Sequence, residues 1–341
     1  MHILGIESSC DETAAAVVVD GQRILSSVVA SQIAIHQPYG GVVPELASRQ
    51  HVKVINTVVD QALSEAGMTK DQIDALAVTR GPGLVGCLLV GFCYAKAFAF
   101  ARDIPWIGVD HLEGHLHSVM LSPEPPSFPF VALLASGGHT GVYYLAQKGS
   151  ISLMGQTRDD AAGEAYDKVS KMLGQGYPGG AAIDRLASQG NAEKITFTRP
   201  YLDKNQFDFS FSGLKSAVHR HIQTHVDLSD QDKADIAAAF QEAVVDVLIH
   251  KVLRAAQIKQ CRHVALVGGV AANNRLRERL TKKAQAHQIT VHIPPLSLCG
   301  DNAAMIAAAG YTRLMAGDRG SLRDDVYSRS PRPATSFSGE H

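Results

Sequence analysis

The chain has almost no excess charge of either sign: 32 Lys and Arg stand against 33 Asp and Glu, a formal net charge of -1. Binding to a phosphate backbone draws most of its strength from cations that neutralise phosphates, so the near-zero total constrains any nucleic-acid role. Any RNA contact must be local or shared with a partner. The five cysteines (Cys10, Cys87, Cys93, Cys261, Cys299) are odd in number, scattered and form no CxxC pair, which argues against a disulfide framework and a thiolate zinc site. GxxxxGK[ST] does not occur, so P-loop nucleotide chemistry is set aside. The N-terminus lacks a basic n-region and meets acidic residues within a dozen positions, unlike a signal or transit peptide. The longest apolar run, Leu84 to Ala101, is interrupted by Gly86, Gly91 and Lys96, so no membrane span is expected. These absences together predict a cytoplasmic protein that does not engage a membrane.

What is present is the composition of a folded protein: 45% hydrophobic and 19% charged residues over 341 positions, enough for two domains of ~100–200 residues each. The segment His2 to Glu7 reads as a strand leading into a polar loop through Thr13, followed by a strand from Ala14 to Asp20. Asp20-Gly21 is a hairpin turn signal before a third strand, Ile24 to Ser31. Pro44 opens a helix with apolar residues at helical spacing, closed by Gly67. Thr69 and Gln72 have capping-box spacing, but the strand pattern Ile73 to Thr79 follows directly and the cap is discounted. Gly81-Pro82-Gly83, a buried helix and a strand from Ile104 to Val109 complete a first lobe, residues 1–122.

Pro123, Pro125, Pro126 and Pro129 make a stiff connection, after which the opening theme returns. The strand Phe130 to Ala135 enters the loop Ser136-Gly137-Gly138-His139-Thr140, and a strand Val142 to Leu145 follows. Aligning Thr13 with Thr140 superimposes strand, loop and strand. A later strand, Val264 to Val267, enters Gly268-Gly269 and then a helix, and a last helix begins near Asp301. The expectation is an α/β protein of two related lobes around a cleft, the second spanning 130–300, with a C-terminal helical segment 301–325 packing back on the first.

Two glycine pairs, Gly137-Gly138 and Gly268-Gly269, each follow an apolar strand. Glycine lets a backbone approach a phosphate, and successive N–H groups can cradle an anion, although a plain turn uses the same residues. His111-Leu112-Glu113-Gly114-His115 sets two imidazoles four residues apart, on one face of a helix. They can share a cation or form a solvated pair. The glutamate is one place away from its HExxH position, and a third ligand must come from elsewhere.

Several blocks together resemble the TsaD family, formerly called Gcp or YgjD: IESSCDET at 6–13, GGVVPELASRQH at 40–51, RGPGLVG at 80–86, HLEGH at 111–115, ASGGHT at 135–140 and GGVAANNRLR at 268–277. The resemblance covers nearly the whole chain. It implies a fold of the actin, sugar-kinase and Hsp70 ATPase (ASKHA) type. It implies transfer of threonylcarbamoyl from threonylcarbamoyl-adenylate to N6 of adenosine 37 of tRNA, with release of AMP. It places the metal ligands at His111, His115 and Asp301, for one divalent ion, iron ahead of zinc. Substrate contacts fall on Leu134, Ala135, Ser136, Gly137, Gly138, Asp167, Gly180, Asp184 and Asn273. Leu112 stands where the family often has Met, a change that leaves both histidines in place.

On this reading the N–H groups of Ser136, Gly137 and Gly138 hold a phosphate or oxyanion, and Asp11 steers or deprotonates the attacking amine, with Glu12 as runner-up. The implied partners are tRNA, a TsaB-like paralogue and a TsaE-like ATPase. Arg275, Arg277, Arg279, Lys282 and Lys283 form a basic helix face that could meet tRNA but has the pattern of a solvated surface, and they stay outside the site. Two rival readings remain: a metallo-endopeptidase built on HLEGH, and a non-enzymatic nucleotide-binding regulator.

Overall fold

The computed structural model describes residues 1–200, 206–225 and 227–329. The first half runs β1 (His2–Glu7), β2 (Glu12–Val19), β3 (Arg23–Ser31), α1 (Ile33–His36), α2 (Pro44–Glu65), β4 (Ala75–Gly81), α3 (Val85–Arg102), β5 (Trp106–Asp110) and α4 (His111–Ser118). The second runs β6 (Phe130–Ala135), β7 (Thr140–Gln147), β8 (Ser150–Gln156), α5 (Ala162–Met172), α6 (Gly179–Ala187), α7 (Ser212–Gln223), α8 (Asp230–Ile258), β9 (His263–Val267), α9 (Asn274–Gln285), β10 (Thr290–His292) and α10 (Ala303–Met315).

The repeat expected from sequence is a repeat of topology. One sheet has strand order β3-β2-β1-β4-β5, the other β8-β7-β6-β9-β10. In each, three antiparallel strands are followed by two parallel ones on the far side of the first strand. Strand β8 is an element that the sequence reading did not assign.

Alternation along each strand sends side chains to two layers. In β1, Leu4 and Ile6 join Ile55, Val59 and Phe92 of α2 and α3, while Ile3 joins Ala303, Ala307 and Leu314 of α10 on the other face. In β6, Val131 and Leu133 join α5 and α8, whereas Ala132 and Leu134 face Leu116 of α4 and Val119 just after it. Helix α10, late in the chain, therefore covers the first sheet, and α4, the end of the first half, covers the second. The two helices also pack on each other, since a Cβ at Gly114 would meet Ile306, and α10 lies close on the first sheet, where a Cβ at Gly310 would overlap Ala77 of β4 and one at Gly5 of β1 would overlap the Ala303 carbonyl.

Two local expectations need correction. The run from Leu84 is not broken by its glycines: α3 is one continuous helix, long and apolar enough to cross a membrane by length and composition. Its Cys87, Leu88, Phe92, Ala95 and Ala99 are nevertheless buried, and Gly91 lies against Ser8, where a side chain would clash. The discounted capping pair is also real in part. Gln72 Oε1 accepts from the Thr69 N–H at 2.8 Å, closing a single turn of 3-10 helix, Lys70–Gln72, before β4 begins. A cap needs only one turn, so a strand can follow it immediately.

Candidate metal centre and nucleotide cleft

Helix α4 starts where it does because Asp110 caps it: Oδ1 accepts from Leu112 N–H at 2.9 Å and Glu113 N–H at 3.2 Å. His111 is thus the first helical residue, with His115 one turn on, and the ring centroids are 4.7 Å apart. At the start of α10, Asn302 Oδ1 accepts from Met305 N–H at 3.0 Å while its amide donates to the Gly300 carbonyl at 2.9 Å. This pair of hydrogen bonds fixes the turn that carries Asp301. The crossing of α4 and α10 then brings His111, His115 and Asp301 together, with ligand atoms within 4.8 Å of one another.

The geometry fits a divalent metal ion. Nε2 of His115 and of His111 lie 3.1 and 3.6 Å from Asp301 Oδ1. Ligand atoms each about 2.1 Å from one ion stand roughly 3.0–3.4 Å apart at octahedral or tetrahedral angles. The other nitrogen of His111, Nδ1, lies 3.0 Å from Glu7 Oε2, so the carboxylate can hold that N–H and leave Nε2 with its lone pair toward Asp301. Glu7 is itself fixed by Thr79 Oγ1 at 2.6 Å and by the Ser9 N–H. His115 Nδ1 is buried and has no hydrogen-bond partner among the described residues, so the polar contact of this ring is at Nε2.

Electrostatically the group is a buried assembly of opposite charges. Burial alone would lower the His111 pKa, but Asp301 and Glu7 outweigh it and raise the imidazole to about 9. Burial likewise pushes Asp301 and Glu7 up, and the neighbouring histidines more than reverse this, leaving both carboxyls below their ordinary value. A cation bound here would take the place of those protons.

The centre opens onto a cleft of about 1750 Å³. Of the residues predicted from sequence, Asp11, Ser136, Gly137, Gly138, Asp167, Gly180, Asp184, Asn273, His111 and Asp301 line it. His115 lies fully buried beneath its wall. Leu134 and Ala135 do not line it: both are fully buried at the end of the central strand β6, where their side chains enter the sheet layers. A Cβ at Gly137, Gly138, Gly180 or Gly269 would meet nothing, so these backbones border open space. The Ser136 N–H is not available to a ligand, because it donates to the His139 carbonyl at 2.8 Å and closes the turn.

The polar residues of the cleft already have partners. Asp167 Oδ1 accepts from the Gly179 N–H at 2.7 Å, and Asp184 Oδ2 from the Asn274 side chain at 2.9 Å. Asn273 Oδ1 caps α9 through the Leu276 N–H at 2.9 Å, and its amide donates to Gln241 at 2.7 Å. Asp11 receives a hydrogen bond from the Tyr177 hydroxyl at 3.3 Å, a contact from the second half of the chain to the first. Burial, then Asp301 and Asp11, raise the Glu12 carboxyl to about 10, and burial followed by the His111 and His115 charges lowers His139 to about 4. The basic residues of α9 are largely neutralised from α8: Arg275 and Arg279 pair with Glu242, and Arg279 and Lys283 with Asp246 at 2.9 and 3.5 Å.

Glu7, Tyr177 and Gln241 were missed by sequence reasoning. Glu7 had a signal, since a carboxylate closing an apolar strand is a buried charge in need of a partner. Tyr177 and Gln241 had none.

Two similar lobes, a cleft bordered by glycine backbone and a histidine–carboxylate centre at the crossing of α4 and α10 define a two-lobed protein of the ASKHA class. Solved structures agree on the fold: HypF of T. kodakarensis superimposes with a TM-score of 0.62 at 15% identity, covering 92% of this chain and 48% of that one. Component A of the Acidaminococcus fermentans (R)-2-hydroxyglutaryl-CoA dehydratase gives 0.53 at 16% identity, covering 92% and 99%. Within that class the chain belongs to the tRNA N6-adenosine threonylcarbamoyltransferase family, whose model, TsaD, matches residues 23–308. Curated relatives of that name are 57% identical over 330 residues in Desulforapulum autotrophicum, covering 97% of this chain and 99% of the relative. The relative in Syntrophus aciditrophicus is 52% identical over 332 residues, covering 97% and 98%.

Membership makes the chain a transferase and does not favour either rival reading. The site agrees in the case of the peptidase. Burial above all raises the Glu113 carboxyl to about 7, and the charges beside it are Arg313, which lowers it, and Asp110 and Asp318, which raise it. That carboxyl is not part of the histidine–aspartate group and does not line the cleft.

Proposed function

We propose that this chain transfers the threonylcarbamoyl group from threonylcarbamoyl-adenylate to N6 of adenosine 37 of tRNA, releasing AMP, with His111, His115 and Asp301 holding one divalent metal. The reading is carried by one observation: two imidazole nitrogens and a carboxylate converge beside a cleft bordered by glycine backbone, in a chain of this family. Iron is assigned ahead of zinc, because two histidines and one carboxylate with positions left open match the facial set that favours ferrous iron. The bound ion supplies Lewis acidity and a template for the donor group.

The chain's own residues supply the rest. The N–H groups of Gly137 and Gly138 have no acceptor among the described residues and border open space, which suits them to the donor phosphate or a developing oxyanion. Asp167 and Asp184 each commit one oxygen to the protein and keep the other for a ribose or threonine hydroxyl. Gly180 and Asn273 flank the adenylate, and Leu134 and Ala135 act through the strand end that places the glycine turn. Asp11, on the opposite lobe and restrained by Tyr177, steers or deprotonates the incoming amine. An exocyclic adenine amine is a poor nucleophile, so holding it against the mixed anhydride provides much of the acceleration. With net charge near zero and the α9 cations paired, tRNA capture is shared with a TsaB-like paralogue and a TsaE-like ATPase in the cytoplasm.

The test is a transfer assay with unmodified tRNA and threonylcarbamoyl-adenylate, with and without those partners, read by nucleoside mass analysis. Threonylcarbamoyladenosine should appear only when this chain is present and should vanish in His111→Ala. Its absence in every combination, with nucleotide binding intact, would remove the reading.

A further inference from the structure

Beyond α10 the chain turns back along the first lobe. The Gly320 N–H donates to the Trp106 carbonyl at 2.7 Å, at the start of edge strand β5. Lys96 Nζ donates to the Asp324 carbonyl at 2.8 Å and Arg80 Nε to the Asp325 carbonyl at 2.7 Å. Val326 packs against the core between the first sheet and α2 and α3, and the Tyr327 N–H donates to the Arg80 carbonyl at 3.1 Å. Residues 320–327 therefore form a strap that starts at one end of β5 and finishes at the other.

The strap finishes on the residue that starts the metal helix. The Tyr327 hydroxyl donates to Asp110 Oδ2 at 2.7 Å, while Oδ1 of the same carboxylate caps α4. Both oxygens of the cap are thereby held, one by the helix and one by the strap. His111 follows Asp110 directly, and α4 has only eight residues, so its first turn has little helix behind it to hold its angle. Gly81 records how closely the strap is seated, since a Cβ there would overlap the Tyr327 carbonyl and ring.

We infer that Tyr327 is a positioning residue for the metal centre: through Asp110 it fixes the first turn of α4 and hence the direction of the His111 imidazole. The inference rests on the assignment of His111, His115 and Asp301 as metal ligands. Outer partners that orient a ligand typically contribute about 10–100-fold to metal affinity. Tyr327→Phe removes the one hydroxyl and keeps the ring, so the strap stays seated by its backbone bonds and by Val326.

The experiment titrates zinc into metal-free full-length protein against a chromogenic chelator, for wild type, Tyr327→Phe and His111→Ala, and records the melting temperature of each metal-free protein. His111→Ala is expected to lose the site. Tyr327→Phe is expected to bind zinc about 10-fold more weakly while melting, metal-free, within a degree or two of wild type. Wild-type zinc affinity in Tyr327→Phe, with the site lost in His111→Ala, overturns the role of the strap alone. Unchanged affinity in His111→Ala overturns the ligand assignment and the inference with it. Should Tyr327→Phe fail to fold, Gly81→Ala, whose Cβ would overlap the Tyr327 carbonyl and ring and so displace the hydroxyl from Asp110, carries the test: weakened zinc binding supports the inference and unchanged binding overturns it.

Discussion

Glu7 decides what His111 can do. Its carboxylate is fully buried, accepts from Thr79 and the Ser9 backbone, and faces the imidazole nitrogen that points away from Asp301. Replacing it by glutamine keeps the shape but offers an amide that can present either donor or acceptor to Nδ1. Glu7→Gln should therefore bind zinc about 10–100-fold more weakly, read by chelator competition, and equal affinity would show that the tautomer is fixed by something else. The glycines of the cleft make the complementary case. Gly137→Ala adds a Cβ that meets nothing in the protein, so the fold should survive with an unchanged melting temperature. The same methyl projects into the space proposed for the adenylate, so AMP affinity by calorimetry should fall by about 10-fold or more; unchanged affinity would place the nucleotide elsewhere. At this scale the sequence was informative where spacing or composition is local. His111 with His115 and the two glycine pairs could be seen within a few residues. Asp301 could not be joined to His115 by any pattern, since 186 positions separate them and only the packing of two helices closes the gap; family resemblance alone pointed to it.

Among the elements, legibility followed periodicity. Helix α2 carries one buried stripe, with Ile55, Val59, Ala62 and Leu63 inward, and its extent was readable to within a residue. Helix α8 is buried on most of its circumference, including Asp235 and Lys251, so no stripe distinguishes it and it went unassigned. Asp235 is how such a helix tolerates a buried acid. Its carboxylate accepts from Lys194 at 2.6 Å, the Asn191 N–H at 2.7 Å and Gln231 at 2.9 Å, tying the segment after α6 to the start of α8. The lysine hydrogen bond and then the backbone N–H hold the carboxyl down to about 2. A carboxyl depressed on folding adds stability above its unfolded value of about 3.9, and that stability is lost as pH falls toward the folded value. Asp235→Asn should cost on the order of 1–2 kcal/mol at pH 7, and its deficit against wild type should begin to narrow below about pH 4. Urea melts across that range would decide it, and a deficit that stayed constant would mean that the charge contributes nothing.

The whole molecule is organised by an exchange. Helix α4, from the first half, covers the second sheet, and α10, from the far end of the chain, covers the first, so the two helices that cross at the cleft belong to opposite layers. The duplicated sheets were legible because the strand–loop–strand theme recurs locally at Thr13 and Thr140. Of the exchange, the return of segment 301–325 to the first lobe was expected, but the placement of α4 on the second sheet was not, because an apolar helix carries no label for the face it covers. Its consequence is mechanical. An ion held by His111 and His115 on one helix and by Asp301 at the start of the other would tie the two helices together at their crossing. A ligand that binds only the assembled state stabilises it by mass action, about 4 kcal/mol at a thousand-fold excess over its dissociation constant. For a chain of this size that corresponds to a melting shift on the order of 5–10 °C. Chelation of the wild-type protein should lower the melting temperature by that much, and readdition of the metal should restore it. His115→Ala should melt at one temperature with or without chelator. Small-angle scattering of the chelated protein adds the mechanical part: if the crossing is what the ion secures, the radius of gyration should rise as the lobes gain freedom. A melting shift without that rise would mean that the ion stabilises α4 alone and leaves the lobes as α10 already holds them.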